Sequence, residues 1–317
     1  MATNIAVLDD YQDVALSSAD WSELSGHSSI TVFNDYIADQ DRLIETLQPF
    51  EVVVAMRERT PFPADVIRAL PRLKLLITTG PANASIDVAA ATEQGITVCG
   101  TGGLLNPTSE LTWGLILAVA RNIPQEDQAI RAGRWQTSVG IELGGRTLGI
   151  IGLGKLGQRV ARVAHAFDMN VIAWSQNLTA ETAAEHGATL VTKEVLFAES
   201  DIVTVHLVLS DRTRGLIGSA ELGLMKPTSY LVNTSRGPIV DEAALVAALA
   251  SGAIAGAGLD VFDREPLPSD HPFRSLANTV LTPHIGYVGQ ETYRIFYADI
   301  VDDISNWLAG TPVRVIS

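Results

Sequence analysis

Thr147-Leu148-Gly149-Ile150-Ile151 runs directly into Gly152-Leu153-Gly154-Lys155-Leu156-Gly157, and a helical run continues to Ala166. A short apolar stretch reads as a buried strand, and the apolar spacing after Gly157 reads as a helix. Each glycine at this junction has a physical reason. Gly152 permits the tight turn, Gly154 lets backbone approach a pyrophosphate, and Gly157 lets the helix pack on the strand. The helix N-terminus, with Lys155 and Leu156 in its first turn, offers free amide donors and a positive dipole end to phosphates. Alone, G-x-G-x-x-G is a weak signal; a strand before it and a helix after it supply the required context.

Outward from this turn the chain alternates in the same way. After it, strands are expected at Asn170–Trp174, Asp201–His206, Ser229–Asn233, Ala255–Val261 and Thr279–Leu281, with helices at Ala180–His186 and Asp241–Ala250 among those between them. Asp241 is the expected cap and Gly252 the expected terminator of the latter helix. The first hundred residues form a second series. Strands are expected at Asn4–Leu8, Ser29–Phe33, Glu51–Ala55, Lys74–Thr78 and Ile96–Cys99, and helices at Asp39–Leu47, Ala64–Leu70 and Ile86–Gln94. Two such series imply an α/β protein of two doubly wound parallel-sheet domains, the larger of the Rossmann type. Leu104–Arg121 reads as a long helix, apolar all round and buried between the domains. The amphipathic stretch Gln290–Leu308 is expected to cross back to the first domain. The expected boundaries are 1–103 with 287–317 for the smaller domain and 104–286 for the larger.

Composition narrows the function. The 317 residues are 47% hydrophobic, enough for buried sheets. The formal charge of −14 argues against nucleic-acid or anionic-membrane partners. No apolar run reaches the roughly 18–20 residues of a membrane span. The opening MATNIAVLDD lacks a signal peptide's basic start and apolar core, so a cytoplasmic location is expected. The single cysteine, Cys99, allows no internal disulfide and no metal cluster, and reads as an ordinary buried thiol. In so acidic a chain, any cation that holds an anionic ligand must be local.

Ligands of open parallel sheets sit beyond the carboxyl ends of the strands. Three successive strands end there in suitable residues. Ser229–Asn233 leads to Thr234-Ser235-Arg236, Ala255–Val261 to Asp263-Arg264-Glu265, and Thr279–Leu281 to Thr282-Pro283-His284. His206 and Thr234 lie at the same edge and join the glycine turn as expected dinucleotide contacts. A histidine suits general acid catalysis near neutral pH, a neighbouring carboxylate stabilises its imidazolium, and an arginine fork matches a carboxylate. After Asn170–Trp174, where an acid would grip the adenosine ribose, the chain reads Ser175-Gln176-Asn177. No carboxylate repels a 2′-phosphate and no cation binds one, so NAD and NADP both stay open.

The segments GLGKLG, NTSRGPIVDEAAL, GLDVFDREP and TPHIG resemble those of the D-isomer-specific 2-hydroxyacid dehydrogenases, from about Glu51 onward and in order. The resemblance implies a hydride exchange between NAD(P)(H) and a small 2-keto or D-2-hydroxy acid, and a flavodoxin-like substrate domain beside the Rossmann-type one. It implies a homodimer formed through the nucleotide domain. It assigns Arg236 to the substrate carboxylate, His284 to acid/base work, Glu265 as its partner, and Asp260 to the nicotinamide amide. Arg57, Thr79, Gly80 and Tyr287 are the expected remaining substrate contacts, with Tyr287 either walling the site beside His284 or merely packing. Glu110 and Trp135 match family positions and read as structural. Two departures stand out: the substrate loop is Gly80-Pro81-Ala82-Asn83-Ala84-Ser85, without the usual second glycine and aspartate, and the ribose acid is missing. Two alternatives accompany this reading. One is a dinucleotide-sensing regulator of the corepressor kind. The other is a formate dehydrogenase, whose kind typically carries glutamine where Glu265 stands.

Overall fold

In the computed structural model, which describes residues 2–316, two runs of strands form two separate parallel sheets. The first holds β1 (Thr3–Val7), β2 (Ser28–Val32), β3 (Val52–Ala55), β4 (Leu75–Thr78) and β5 (Thr97–Gly100) in the order β2-β1-β3-β4-β5. The second holds β6 (Thr147–Ile151), β7 (Asn170–Trp174), β8 (Thr189–Leu190), β9 (Ile202–Val205), β10 (Tyr230–Asn233), β11 (Gly256–Leu259) and β12 (Thr279–Leu281). Its order is β12-β11-β10-β9-β6-β7-β8. These are the flavodoxin-like and the Rossmann-type windings, as the alternating pattern predicts.

The chain divides into two compact units. One runs to Leu104 and resumes at Val288, taking in the helix Gln290–Leu308; the other is Leu105–Tyr287. In the second unit, neighbouring side chains along a strand serve opposite faces, as the pleat dictates. Ile151 packs with Phe197, Leu222 and Leu245 from the helices Lys193–Glu199, Ser219–Leu224 and Glu242–Ser251. Ile150 packs with Leu115, Val160 and Ala164 from the helices Asn106–Ala120 and Lys155–Ala166. Both faces are therefore covered, which is why β9 and β11 are wholly buried and read as unbroken apolar or small runs.

Several expectations need correction. The helix Asn106–Ala120 is not buried all round: Asn106, Glu110 and Gly114, four residues apart, form an exposed stripe. The two-residue strand β8 and the short helices Lys193–Glu199 and Ser219–Leu224 were not among the expected elements, because each is too brief to display a period. Trp135 stands 74% exposed. Cys99 is buried, and burial pushes its thiol up to about 12, which leaves it inert at neutral pH. Among the described residues no helix is long and apolar enough to cross a membrane, and no cluster could hold a metal ion.

The caps of the helix Glu242–Ser251 follow local rules. The Asp241 carboxylate accepts from the Ala244 amide at 3.0 Å, and Gly252 closes the helix in the left-handed conformation at φ 71°. Replacing Asp241 by alanine is expected to cost about 1 kcal/mol. Urea unfolding should show a lowered midpoint with unchanged slope.

Candidate active site

The Gly152 turn is shaped by its neighbours. Gly152 adopts φ 96°, and a Cβ there would lie 2.9 Å from the His206 carbonyl oxygen. A side chain is therefore excluded twice over, by conformation and by space. At Gly157 a Cβ would run into the Gly152 carbonyl, so the helix lies directly on the turn. Gly154 is the opposite case: among the described residues nothing lies within 4 Å of the position its Cβ would take. The helix Lys155–Ala166 that starts there has no side-chain cap, which leaves its first amides facing that open approach. At the neighbouring strand end, His206 Nε2 is buried with no hydrogen-bond partner among the described residues, and burial pushes this imidazole down to about 4. An open glycine, an uncapped helix start and an orphaned ring nitrogen together fit a bound dinucleotide. Ser175, Gln176 and Asn177 follow β7, the first half-buried and the other two exposed, with no acid among them.

Three strand ends farther along the same edge carry the reactive groups. β10 pairs with β11, and β11 with β12, all parallel, with Asn233 opposite Leu259 and Leu259 opposite Leu281. Past β10, the Asn233 side chain donates to the Arg236 carbonyl at 3.0 Å and accepts from the Ser235 amide at 3.0 Å. The Ser235 hydroxyl bonds the Leu207 carbonyl, and Thr234 shares a 2.8 Å hydroxyl bond with Thr112. Arg236 Nη1 donates to the Ser235 carbonyl at 2.8 Å, which folds the side chain back over its own loop.

Past β12, His284 sits at φ 53°, a left-handed conformation that costs an ordinary residue about 1–2 kcal/mol. Asp260, wholly buried at the end of β11, holds the turn in place. Its carboxylate accepts from Thr282 Oγ1 at 2.6 Å and from the amides of Ile285 and Gly286, each at 2.8 Å. Desolvation raises the Asp260 carboxyl above its ordinary range, and these donors with the nearby His284 oppose the rise. The result is one ring, aimed. His284 Nδ1 lies 2.6 Å from Glu265 Oε2, and Glu265 Oε1 accepts from the Phe262 amide at 2.9 Å. A carboxylate is an acceptor, so the proton between them belongs to Nδ1, which leaves Nε2 for exchange with a ligand. The Tyr287 ring stands edge-on to His284, with centroids 5.5 Å apart.

In the first unit, Arg57, Thr79 and Gly80 come together at the ends of β3 and β4. Arg57, at φ 51°, donates its amide to Thr79 Oγ1 at 2.9 Å and Nη1 to the Thr79 carbonyl at 3.2 Å, and its guanidinium fills the space where a Gly80 side chain would lie. The Thr79 side chain is fully buried and braces Arg57. The Gly80 amide is committed to Thr101 Oγ1 at 2.7 Å and Pro81 has none, so any backbone grip on an anion here falls to the residues after Pro81. Asn83, absent from the sequence-based site, donates to the Arg57 carbonyl at 2.6 Å and to Thr78 Oγ1 at 2.9 Å.

The winding, the glycine turn and the His–Glu pair put a dinucleotide-type phosphate turn and an acid–base pair on one sheet edge, and comparison with known proteins sharpens this picture. The family pattern "D-isomer specific 2-hydroxyacid dehydrogenase, NAD binding domain" matches residues 113–286. A D-3-phosphoglycerate dehydrogenase of Archaeoglobus fulgidus is 40% identical over 278 residues, 87% of this chain and 53% of that protein. A glyoxylate reductase of Aeropyrum pernix is 45% identical over 238 residues, 72% of this chain and 71% of that one. The crystal structure of a phosphoglycerate oxidoreductase from Vibrio cholerae superposes with a TM-score of 0.92 at 39% identity, covering 98% of this chain and all of the other. The chain belongs to the D-isomer-specific 2-hydroxyacid dehydrogenase family, and it spans about half the length of the phosphoglycerate dehydrogenase it matches.

The His206 shift carries a pH consequence. Its folded-state value lies below the unfolded 6.5, so the unfolded chain binds the extra proton between about 6.5 and 4. That contribution to stability is intact above pH 6.5 and is lost as pH falls through this window. A His206→Leu variant should show a flatter fall in melting temperature across the same range.

Proposed function

We propose that this protein is an NAD(P)-dependent D-2-hydroxyacid dehydrogenase that works as a reductase of small 2-keto acids. The observation that carries the proposal is the 2.6 Å pairing of His284 with Glu265 on the sheet edge shared by Arg236 and the open glycine turn. In reduction, the Arg236 fork holds the substrate carboxylate. His284 Nε2 gives its proton to the carbonyl oxygen as negative charge develops there, and ionised Glu265 steadies the imidazolium beforehand. A bound reduced nicotinamide supplies the hydride. Asp260 retains one acceptor position beyond its three bonds, enough for the nicotinamide amide. Gly152, Gly154, Lys155, Leu156 and Gly157 cradle the pyrophosphate, with His206 and Thr234 beside it. The neutral Ser175-Gln176-Asn177 turn favours neither NAD nor NADP by charge.

Glyoxylate, hydroxypyruvate, pyruvate and bulkier 2-keto acids, each supplied with NADH and with NADPH, are the substrates to measure. The D-hydroxy acid is the expected product. His284→Asn keeps a residue that accepts the left-handed conformation, so the variant should fold and bind coenzyme normally. Its turnover should fall by roughly 10²–10⁴. Full turnover in that variant contradicts the assignment of the acid, and tight coenzyme binding without turnover of any keto acid in the wild type contradicts the enzyme reading.

The same proposal includes a homodimer through the nucleotide unit. The helix Ile123–Arg131 and the arm after it expose Ile123, Ile130, Trp135 and Val139, the last at 96%, and an apolar set of this kind is suited to burial against a second copy. Light scattering should give twice the chain mass for the wild type, and a Trp135→Glu variant should shift toward one chain.

A further inference from the structure

Two residues with no part in the chemistry above meet beneath the loop that carries Glu265. Glu242 opens the helix Glu242–Ser251, and His271 opens the turn Pro272–Ser275. Their side chains join at 2.9 Å, Glu242 Oε1 to His271 Nε2, and both are largely buried. The ring's state follows from its partners. His271 Nδ1 accepts from the Phe273 amide at 3.2 Å, so the proton of the neutral ring lies on Nε2 and points at Glu242. The other carboxylate oxygen, Glu242 Oε2, accepts from the Asp263 amide at 3.2 Å.

That last bond links the pair to the active site. Successive amides of one loop serve two carboxylates: Phe262 donates to Glu265, and Asp263 donates to Glu242. The same stretch is pressed against Gly237, where a Cβ would collide with the Phe262 carbonyl group and lie 2.6 Å from the Asp263 nitrogen. Gly237 directly follows Arg236, so the backbone gripped by Glu242 abuts both the arginine loop and the glutamate loop. Arg274 adds a brace from the same turn, donating to the carbonyls of Pro268 at 2.8 Å and Leu267 at 2.7 Å. The charged groups around the clamp are Asp241, Asp263 and Arg214, and burial followed by Glu242 raises the Asp263 carboxyl. Around His284 they are Glu265 and Asp260, with the Tyr287 ring alongside.

We propose that Glu242 and His271 are positioning residues: together they fix the Asp263 amide, and through it the loop that aims Glu265 at His284. The kinetic part of this inference rests on the reading of His284 as the acid; the spectroscopic part does not. Two variants separate the clamp from general stability. Glu242→Gln offers one acceptor where two donors, Asp263 N–H and His271 Nε2–H, need one each. His271→Asn still caps the Phe273 amide, but its side chain is too short to reach Glu242.

The first readout is the His284 Nδ1 proton, observed by NMR in the full chain and assigned by its absence from His284→Asn. In both variants it should exchange with water about tenfold faster, the scale of one lost hydrogen bond to a charged group. The second is the division of kinetic effect: kcat for a 2-keto acid should fall about tenfold while KM stays within about twofold. The double variant should be no worse than Glu242→Gln alone, because both act through one contact. Wild-type proton exchange in a folded His271→Asn variant, or losses that add in the double variant, overturns the proposal. If the wild type turns over no 2-keto acid, the functional reading fails while the proton measurement still decides this one.

Discussion

Parallel pairing is the constraint on which the site depends. When β10, β11 and β12 all run the same way as β6, their carboxyl ends arrive at one edge together. Arg236, Glu265 and His284, spread over almost fifty residues of sequence, are then carried by three adjacent strands, with the glycine turn on the same edge. An antiparallel β11 would send Glu265 to the opposite end, and no rotamer could bring it back. The cost of parallel pairing is that both faces need cover, and the helices on either side of the seven-stranded sheet provide it.

Alignment of strand ends gives proximity, but aiming needs polar contacts inside the loops. Asp260 is the clearest case. A carboxylate taken out of water is costly unless its oxygens find donors, and here it finds a hydroxyl and two amides from one turn. Those bonds hold His284 in a conformation it would not choose alone, and Glu265 then fixes which ring nitrogen faces outward. Asn233 does comparable work for Arg236 by bonding the Ser235 amide and the Arg236 carbonyl. Charge follows the same logic: a chain of net charge −14 places a guanidinium beside the glycine turn's sheet edge, so attraction for an anion is local.

Much of this architecture was legible in the sequence because burial on two faces leaves a strong mark. Thr147–Ile151 and Asn170–Trp174 are apolar runs with clear ends, and Gly152 and Gly157 of the phosphate turn are explained by collisions that any side chain would suffer. The Asp241 cap and the Gly252 stop are local too. Other features were illegible for one shared reason: they are contacts between segments far apart in sequence, decided by strand register. Thr112 with Thr234, Asp260 with Gly286, and Glu242 with His271 and Asp263 leave no periodic trace. β8 was too short to alternate, and the exposure of Trp135 depends on how the arm after Arg131 lies.

The most direct test of the central claim is to follow the hydride itself. A single turnover of a 2-keto acid with reduced coenzyme carrying deuterium at C4 of the nicotinamide, followed by mass and chiral analysis of the product, reads transfer and stereochemistry together. The account predicts one deuterium at C2 of a D-2-hydroxy acid, with a slowed hydride step relative to unlabelled coenzyme. Product without label, or product of the L configuration, would contradict it.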